Sequence, residues 1–167
     1  MLLNMSIPLA FVFSSVDASD AEELASLRVE AMRESLERIG RFDAMRARSR
    51  FLDIFSAEHT RAIVLNGERV GFFVVRPQGE TLLLDHLYVS PSHQNRGIGA
   101  AVLQMVFAIA DEGGRIVRVG ALRGSDSNRF YARHGFDLVQ ETEFDNYYLR
   151  KGRDALLVAA HLRRCSG

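Results

Sequence analysis

The run Thr81 to Val89, TLLLDHLYV, constrains the fold more than any other part of the chain. It is nearly all apolar, with no alternation of polar and apolar sites. It therefore reads as a strand buried on both faces, at the centre of a sheet with helices on either side. Only Asp85 and His86 interrupt it, and a buried acid beside a buried imidazole needs partners or a chemical task. The residues that follow, SPSHQNRGIGAAVLQ, form a polar turn that leads straight into an apolar helix. Gly97 and Gly99 open that helix, one residue apart.

The remaining elements can be placed around this unit. A first strand is expected from Leu9 to Val16. A helix follows to Gly40, capped by Ser19 or Asp20, with Leu24, Leu27, Ala31, Leu36 and Ile39 inward. A second helix, RFDAMRARSRFLDIF, has Phe42, Met45, Phe51, Ile54 and Phe55 as its apolar positions. Two β-rich runs flank Asn66-Gly67, a pair that supplies the positive φ angles of a tight hairpin. After the glycine loop come a helix from Gly99 to Glu112, with Ile98, Val102, Met105 and Ile109 inward, and the strand RIVRVGAL. A short helix capped by Ser125 or Asp126 and stopped by Gly135 precedes a closing pair of strands. The order predicts a mixed α/β sheet with a strand–loop–helix–strand crossover at its centre.

Composition removes several functions. The 167 residues fit one domain, expected over 1–151, with 152–167 as a C-terminal helix or tail. A formal net charge of zero argues against nucleic acid as the partner. No apolar run reaches the ~18 residues that a membrane span needs. The N-terminal stretch MLLNMSIPLAFVFSS has no Lys or Arg ahead of its apolar residues, so it reads as a strand rather than a leader. Cys165 is the single cysteine, which excludes an internal disulfide and a Cys-based metal site and suits the cytoplasm. No metal is expected.

A strand, a glycine loop and a helix N-terminus together present free backbone N–H groups and a positive dipole end to an anion. Gly97 and Gly99 admit phosphate oxygens to the backbone, and Gln94 and Arg96 are candidate side-chain donors. No Gly-Lys-Ser/Thr occurs, which excludes a Walker loop. The dinucleotide fingerprint fits poorly, because Val102 stands where Gly or Ala is wanted.

LYVSPSHQNRGIGAAVL resembles motif A of the GNAT N-acetyltransferase superfamily, with Gln94, Gly97 and Gly99 in the Gln/Arg-x-x-Gly-x-Gly/Ala places. NRFYARHGF resembles motif B, with Tyr131, Gly135 and Phe136. The two lie in the right order with a strand between them and span about Thr81 to Phe136. The resemblance implies a central mixed sheet with splayed middle strands, flanked by about four helices. It also implies acetyl-CoA as co-substrate and acyl transfer to an amine by direct attack in a ternary complex.

By position, the backbone of Asn95, Arg96, Gly97, Ile98, Gly99 and Ala100 would grip the pyrophosphate. The backbone of Leu87, Tyr88 and Val89 would pair with the pantetheine arm, with the Val89 N–H near the acetyl carbonyl. Tyr131 matches the family tyrosine that donates to the leaving thiolate. Asp85 is the first candidate base and His86 the second, and strand alternation puts Asp85 with Leu83, Leu87 and Val89 and His86 with Tyr88. Many members carry an asparagine where Gly124 and Ser125 stand here, which leaves Ser125 and Asn128 as candidate cofactor contacts. The acceptor is expected to be a small-molecule amine, in a groove between the N-terminal helices and the closing strands. A protein or peptide amine, or a non-catalytic acyl-CoA-binding module, are the alternatives. A nucleotide-phosphate binder outside the superfamily is a third. A homodimer is the expected assembly.

Overall fold

The computed structural model describes residues 10–152. The chain forms β1 (Phe11–Ser15), α1 (Ala21–Arg38), α2 (Ala44–Ile54), β2 (Thr60–Leu65), β3 (Glu68–Gln78), β4 (Thr81–Val89), α3 (Ile98–Glu112), β5 (Ile116–Leu122), α4 (Ser127–Arg133), β6 (Asp137–Glu141) and β7 (Asp145–Arg150), in that order. The strands make one seven-stranded sheet, β1-β2-β3-β4-β5-β7-β6, with β4 at its middle. Only the β4–β5 pair is parallel. The mixed α/β sheet with four helices is thus the observed fold. The segment expected as a C-terminal helix or tail lies outside the described residues from 153 onward, as does Leu9 at the start of the first strand.

Apolar side chains cover both faces of the sheet centre. One face packs Leu82, Leu84, Val117 and Val119 against Ile98, Val102, Leu103, Val106 and Ala110 of α3. The other packs Phe72 and Val74 of β3 against Leu24, Ala25 and Leu27 of α1 and Phe51 of α2. Each fully buried Leu or Phe contributes about 1.5–3 kcal/mol relative to exposure. The Asn66-Gly67 hairpin joins β2 and β3 as expected, with φ of 52° and 81° at its two residues.

Several details differ from the sequence reading. Asp17 caps the first helical segment: its carboxylate accepts from the Ser19 N–H at 2.8 Å, while the Asp17 N–H donates back to Asp20 at 2.9 Å. Of the two expected caps, Asp20 stands at the N-cap of α1 without a cap hydrogen bond, and Ser19 is not the cap. The inward row of α3 continues in steps of four, from Ile98 through Val102 and Val106 to Ala110, and leaves Ile109 48% exposed. In α2 only Ala47 and Phe51 are buried, and Met45 and Ile54 face outward, because a single row meets β3. No side chain caps α4: Asp126 stands at its N-cap without a cap hydrogen bond, and Ser125 donates instead to the Leu122 carbonyl.

Candidate active site

The sheet opens along the second half of β4. Thr81 to Leu84 pair with Ile116 to Val119 of β5, and the pairing stops there. Past this point β5 stays paired with β7 on its far edge, through Gly120–Tyr147, Ala121–Asn146 and Leu122–Asp145. On its other edge β4 stays paired with β3 to Val89. The Ser90 N–H donates to the Val70 carbonyl of β3 at 2.8 Å. Peptide groups alternate sides along a strand, so Val89 and Leu87 turn their N–H groups away from β3, into the opening. Gln94 Nε2 donates to the Val89 carbonyl at 2.9 Å and fastens the loop to the strand end.

Beyond Val89 the loop reaches α3 through two residues in the left-handed region, Asn95 (φ 60°) and Gly97 (φ 81°). No side chain caps α3, so its first N–H groups, from Ile98 to Ala100, have no intrahelical acceptor and point out of the helix start. The two glycines have different reasons to be there. Gly97 is held by its φ, while a Cβ on Gly99 would lie 3.0 Å from the Phe130 ring of α4. Gly99 therefore serves the approach of two helices, whatever it also does for a ligand. Arg96 is exposed beside this cradle.

A cavity of about 150 Å³ follows the opening, lined by Asp85 to Val89, Gln94, Ser125 and Tyr131 among others. Tyr131 packs against Phe130, Phe136 and Tyr148 and is 5% exposed. Burial pushes its phenol pKa well above the ordinary value, with the neighbouring Tyr88 adding to the effect, so the hydroxyl stays protonated and remains a donor. Ser125 lines the cavity, but Asn128 is fully engaged in the fold. Its Nδ2 donates to the carbonyls of Leu122 and Ser125, and its Oδ1 accepts from Asn146 and Tyr148. That leaves Asn128 no hydrogen-bonding capacity for a ligand.

The expected alternation of faces along β4 fails at Asp85. Val74 pairs with His86 and Val75 with Leu84, so Asp85 is an extra residue with no partner on β3. A bulge of this kind re-aims the side chains beyond it. Leu87 and Val89 turn to the α3 face, whereas Asp85 joins His86 and Tyr88 on the face of α1 and α2. Arg76 Nε donates to Asp85 at 3.0 Å, and its Nη2 donates to the Ile54 carbonyl at the end of α2 at 2.7 Å. The His86 Nε2 lies 3.8 Å from the same carboxylate. Its ring sits among Phe51, Phe72 and Tyr88, and neither ring nitrogen has a hydrogen-bond partner among the described residues. Desolvation lowers the His86 pKa to about 4, against the pull of Asp85 and helped by Arg28 and Arg76.

On this face a groove of about 1260 Å³ runs between α1, α2 and the β5–β7 strands and shares Asp85, His86, Tyr88 and Leu122 with the cavity. It holds functional candidates that sequence reasoning did not single out. Arg28 of α1 donates to the Ala47 carbonyl and stands over the Tyr88 ring at 5.8 Å. Asp145 lines the groove from the start of β7, with Tyr147 beyond it. The usable sequence signal was Arg76, a charge directly after the apolar run GFFVV of the neighbouring strand. Among the described residues no group of three or more His, Cys, Asp or Glu could hold a metal, and no helix is long and apolar enough to cross a membrane.

Comparison with known proteins fits this geometry. Residues 53–138, slightly more than half of the chain, match the acetyltransferase (GNAT) domain. No curated protein matches the chain in sequence. Solved structures share its fold at low identity. A PaiA N-acetyltransferase from Thermoplasma acidophilum, in complex with coenzyme A, is 17% identical, covers 85% of this chain and 99% of its own, and has a TM-score of 0.72. An acetyltransferase from Thermus thermophilus is 19% identical over 86% of this chain and 98% of its own, with a TM-score of 0.67. The ribosomal-protein alanine N-acetyltransferase of Escherichia coli is 15% identical over 85% and 94%, with a TM-score of 0.63.

Proposed function

Since the chain belongs to the GNAT acetyltransferase family and is an acyltransferase, we propose that it moves the acetyl group of acetyl-CoA to the primary amine of a small molecule, by direct attack within a ternary complex. The observation that carries this reading is the second half of β4, which lies open beside the uncapped start of α3. The backbone from Asn95 to Ala100 takes the pyrophosphate, with Arg96 beside it. Leu87 and Val89 pair with the pantetheine amides as a neighbouring strand would. The Val89 N–H then faces the thioester carbonyl and stabilises the oxyanion that forms there.

The groove on the other face supplies the amine. Its volume is of the order of small-ligand sites, which favours a small acceptor over a folded protein surface. The amine nitrogen forms a bond to the carbonyl carbon, the carbon–sulfur bond breaks, the nitrogen loses a proton and the sulfur gains one. Asp85 receives the amine proton: Arg76 fixes one oxygen of its carboxylate, and the other has no hydrogen bond from the described residues. His86, neutral at working pH, shapes the wall rather than carrying charge. The Tyr131 hydroxyl donates to the departing sulfur.

The test is Tyr131→Phe. Its expected kcat is about 100-fold lower, as for loss of a positioned proton donor. Calorimetric titration should give an acetyl-CoA Kd within about twofold of the parent, since the hydroxyl acts on the leaving group. Unchanged turnover would reduce Tyr131 to a packing residue and remove it from the mechanism.

A further inference from the structure

The charges along the acceptor groove are unevenly matched. Arg28, Arg41, Arg46, Arg50 and Arg118 line it, and none of the ion pairs found among the described residues uses any of them. Arg28 is held by the Ala47 carbonyl, Arg41 lies over the Phe144 ring at 3.7 Å, and Arg118 lies 5.3 Å from the centre of the Tyr147 ring. Among the described residues the side chains of Arg46 and Arg50 have no partner. They stand one turn apart on α2 and so share a face. Arg118 projects from the exposed side of β5, where Gly120 two residues on carries no side chain.

The acids do not offset this. Asp85 is neutralised by Arg76, which lies outside the lining. Asp43 is occupied as the α2 cap, accepting from the Arg46 N–H at 3.0 Å. Asp53 is exposed near the end of α2. Among the described residues Asp145 has no ion-pair partner, and it pairs on β7 with Leu122, which borders the thioester cavity. Arg118 is four residues back along β5, about 13 Å at the rise of an extended strand. The groove therefore has an acid at the end where the amine must lie, with Arg28 and Arg41 close to it, and a further guanidinium group, Arg118, farther out along β5.

We infer that the acceptor amine also carries an anionic group, a carboxylate or a phosphate, held between Arg50 of α2 and Arg118 of β5 with Arg46 beside them. Guanidinium groups suit both oxyanions because they donate two parallel hydrogen bonds. The inference rests on the reading of this groove as the amine side of an acetyltransferase.

The experiment measures initial acetylation rates for matched amines with acetyl-CoA: ethanolamine against phosphoethanolamine, propylamine against β-alanine, and putrescine as a dication. The acetyl-CoA Kd is measured on the same samples. At least one anionic amine should exceed its neutral partner in kcat/KM by about tenfold or more, the worth of one hydrogen-bonded charge pair. The phosphate and carboxylate arms identify which oxyanion is recognised. In the Arg50→Gln/Arg118→Gln double variant that ratio should fall toward one, and the corresponding Lys double variant should keep most of it. The inference is overturned if acetyl-CoA binds and no anionic amine outpaces its neutral partner, including the case where none reacts. It is also overturned if putrescine is preferred, or if the Gln variant keeps the ratio. Failure of acetyl-CoA to bind would instead remove the acetyltransferase reading of the site, and this inference with it.

Discussion

The two halves of β4 have the same neighbour on one edge and different surroundings on the other. Thr81 to Leu84 are paired on both edges, and Leu82 and Leu84 are each 1% exposed. His86 to Val89 are paired only with β3, Asp85 is paired with neither neighbour, and together they border two connected hollows. A sheet centre is the place where open backbone groups are least tolerated, because nothing there can satisfy them. Such an opening persists when the structure around it holds the strands apart. Here the bulge at Asp85 and the Arg76 bridge to α2 do so. The first half of the strand holds the fold together, and the second half is kept open for a ligand.

Substitutions in the two halves should separate stability from turnover. Leu82→Ala, in the closed half, should cost about 2–5 kcal/mol in urea unfolding. The folded fraction should keep its acetyl-CoA affinity. Val89→Pro, in the open half, deletes one N–H that faces the gap. It should lower kcat by about 100–1000-fold, as loss of an oxyanion donor does, with a smaller effect on the unfolding midpoint. Equal effects of the two changes on stability would abolish the contrast.

His86 sharpens the comparison from the acid side. Its folded pKa of about 4 lies below the ordinary 6.5. Between those values the unfolded chain binds a proton that the folded chain refuses, so stability falls as pH drops from about 6.5 to 4 and is unaffected above. The loss attributable to this one group is on the order of 3 kcal/mol. His86→Phe should remove that part of the acid limb, read as a flatter dependence of unfolding free energy on pH. An unchanged acid limb would place the sensitive group elsewhere. The smallest expected effect is at Gly99→Ala, where the new methyl meets Phe130 at 3.0 Å. A cost of about 1–3 kcal/mol is expected, measured by thermal unfolding, with a weaker acetyl-CoA Kd if the start of α3 shifts.

Much of this contrast was legible before any coordinates. The apolar run of β4, the glycine loop and the Tyr131-to-Phe136 segment fixed the order of elements, the central position of the strand and the family. What escaped was set by cross-strand register rather than local pattern. The extra residue at Asp85 depends on how β3 aligns with β4, and a shift of one residue moved Asp85 to the opposite face from Leu87 and Val89. Periodicity alone could not choose between the Met105–Ile109 row and the Val106–Ala110 row of α3, because both are apolar and only the sheet selects one. Arg28 and Asp145 lie more than fifty residues from β4 on either side, and the tertiary fold alone brings them to its open half.

Amide hydrogen exchange, resolved by residue with and without acetyl-CoA, tests the central claim most directly. Leu87 and Val89, together with Ile98 to Ala100, should exchange readily in the free protein and gain protection on binding, while Thr81 to Leu84 are already protected and stay so. Tight binding that leaves the Leu87 and Val89 amides unprotected would mean that acetyl-CoA does not complete the open half of β4, and the mechanism built on it would fall.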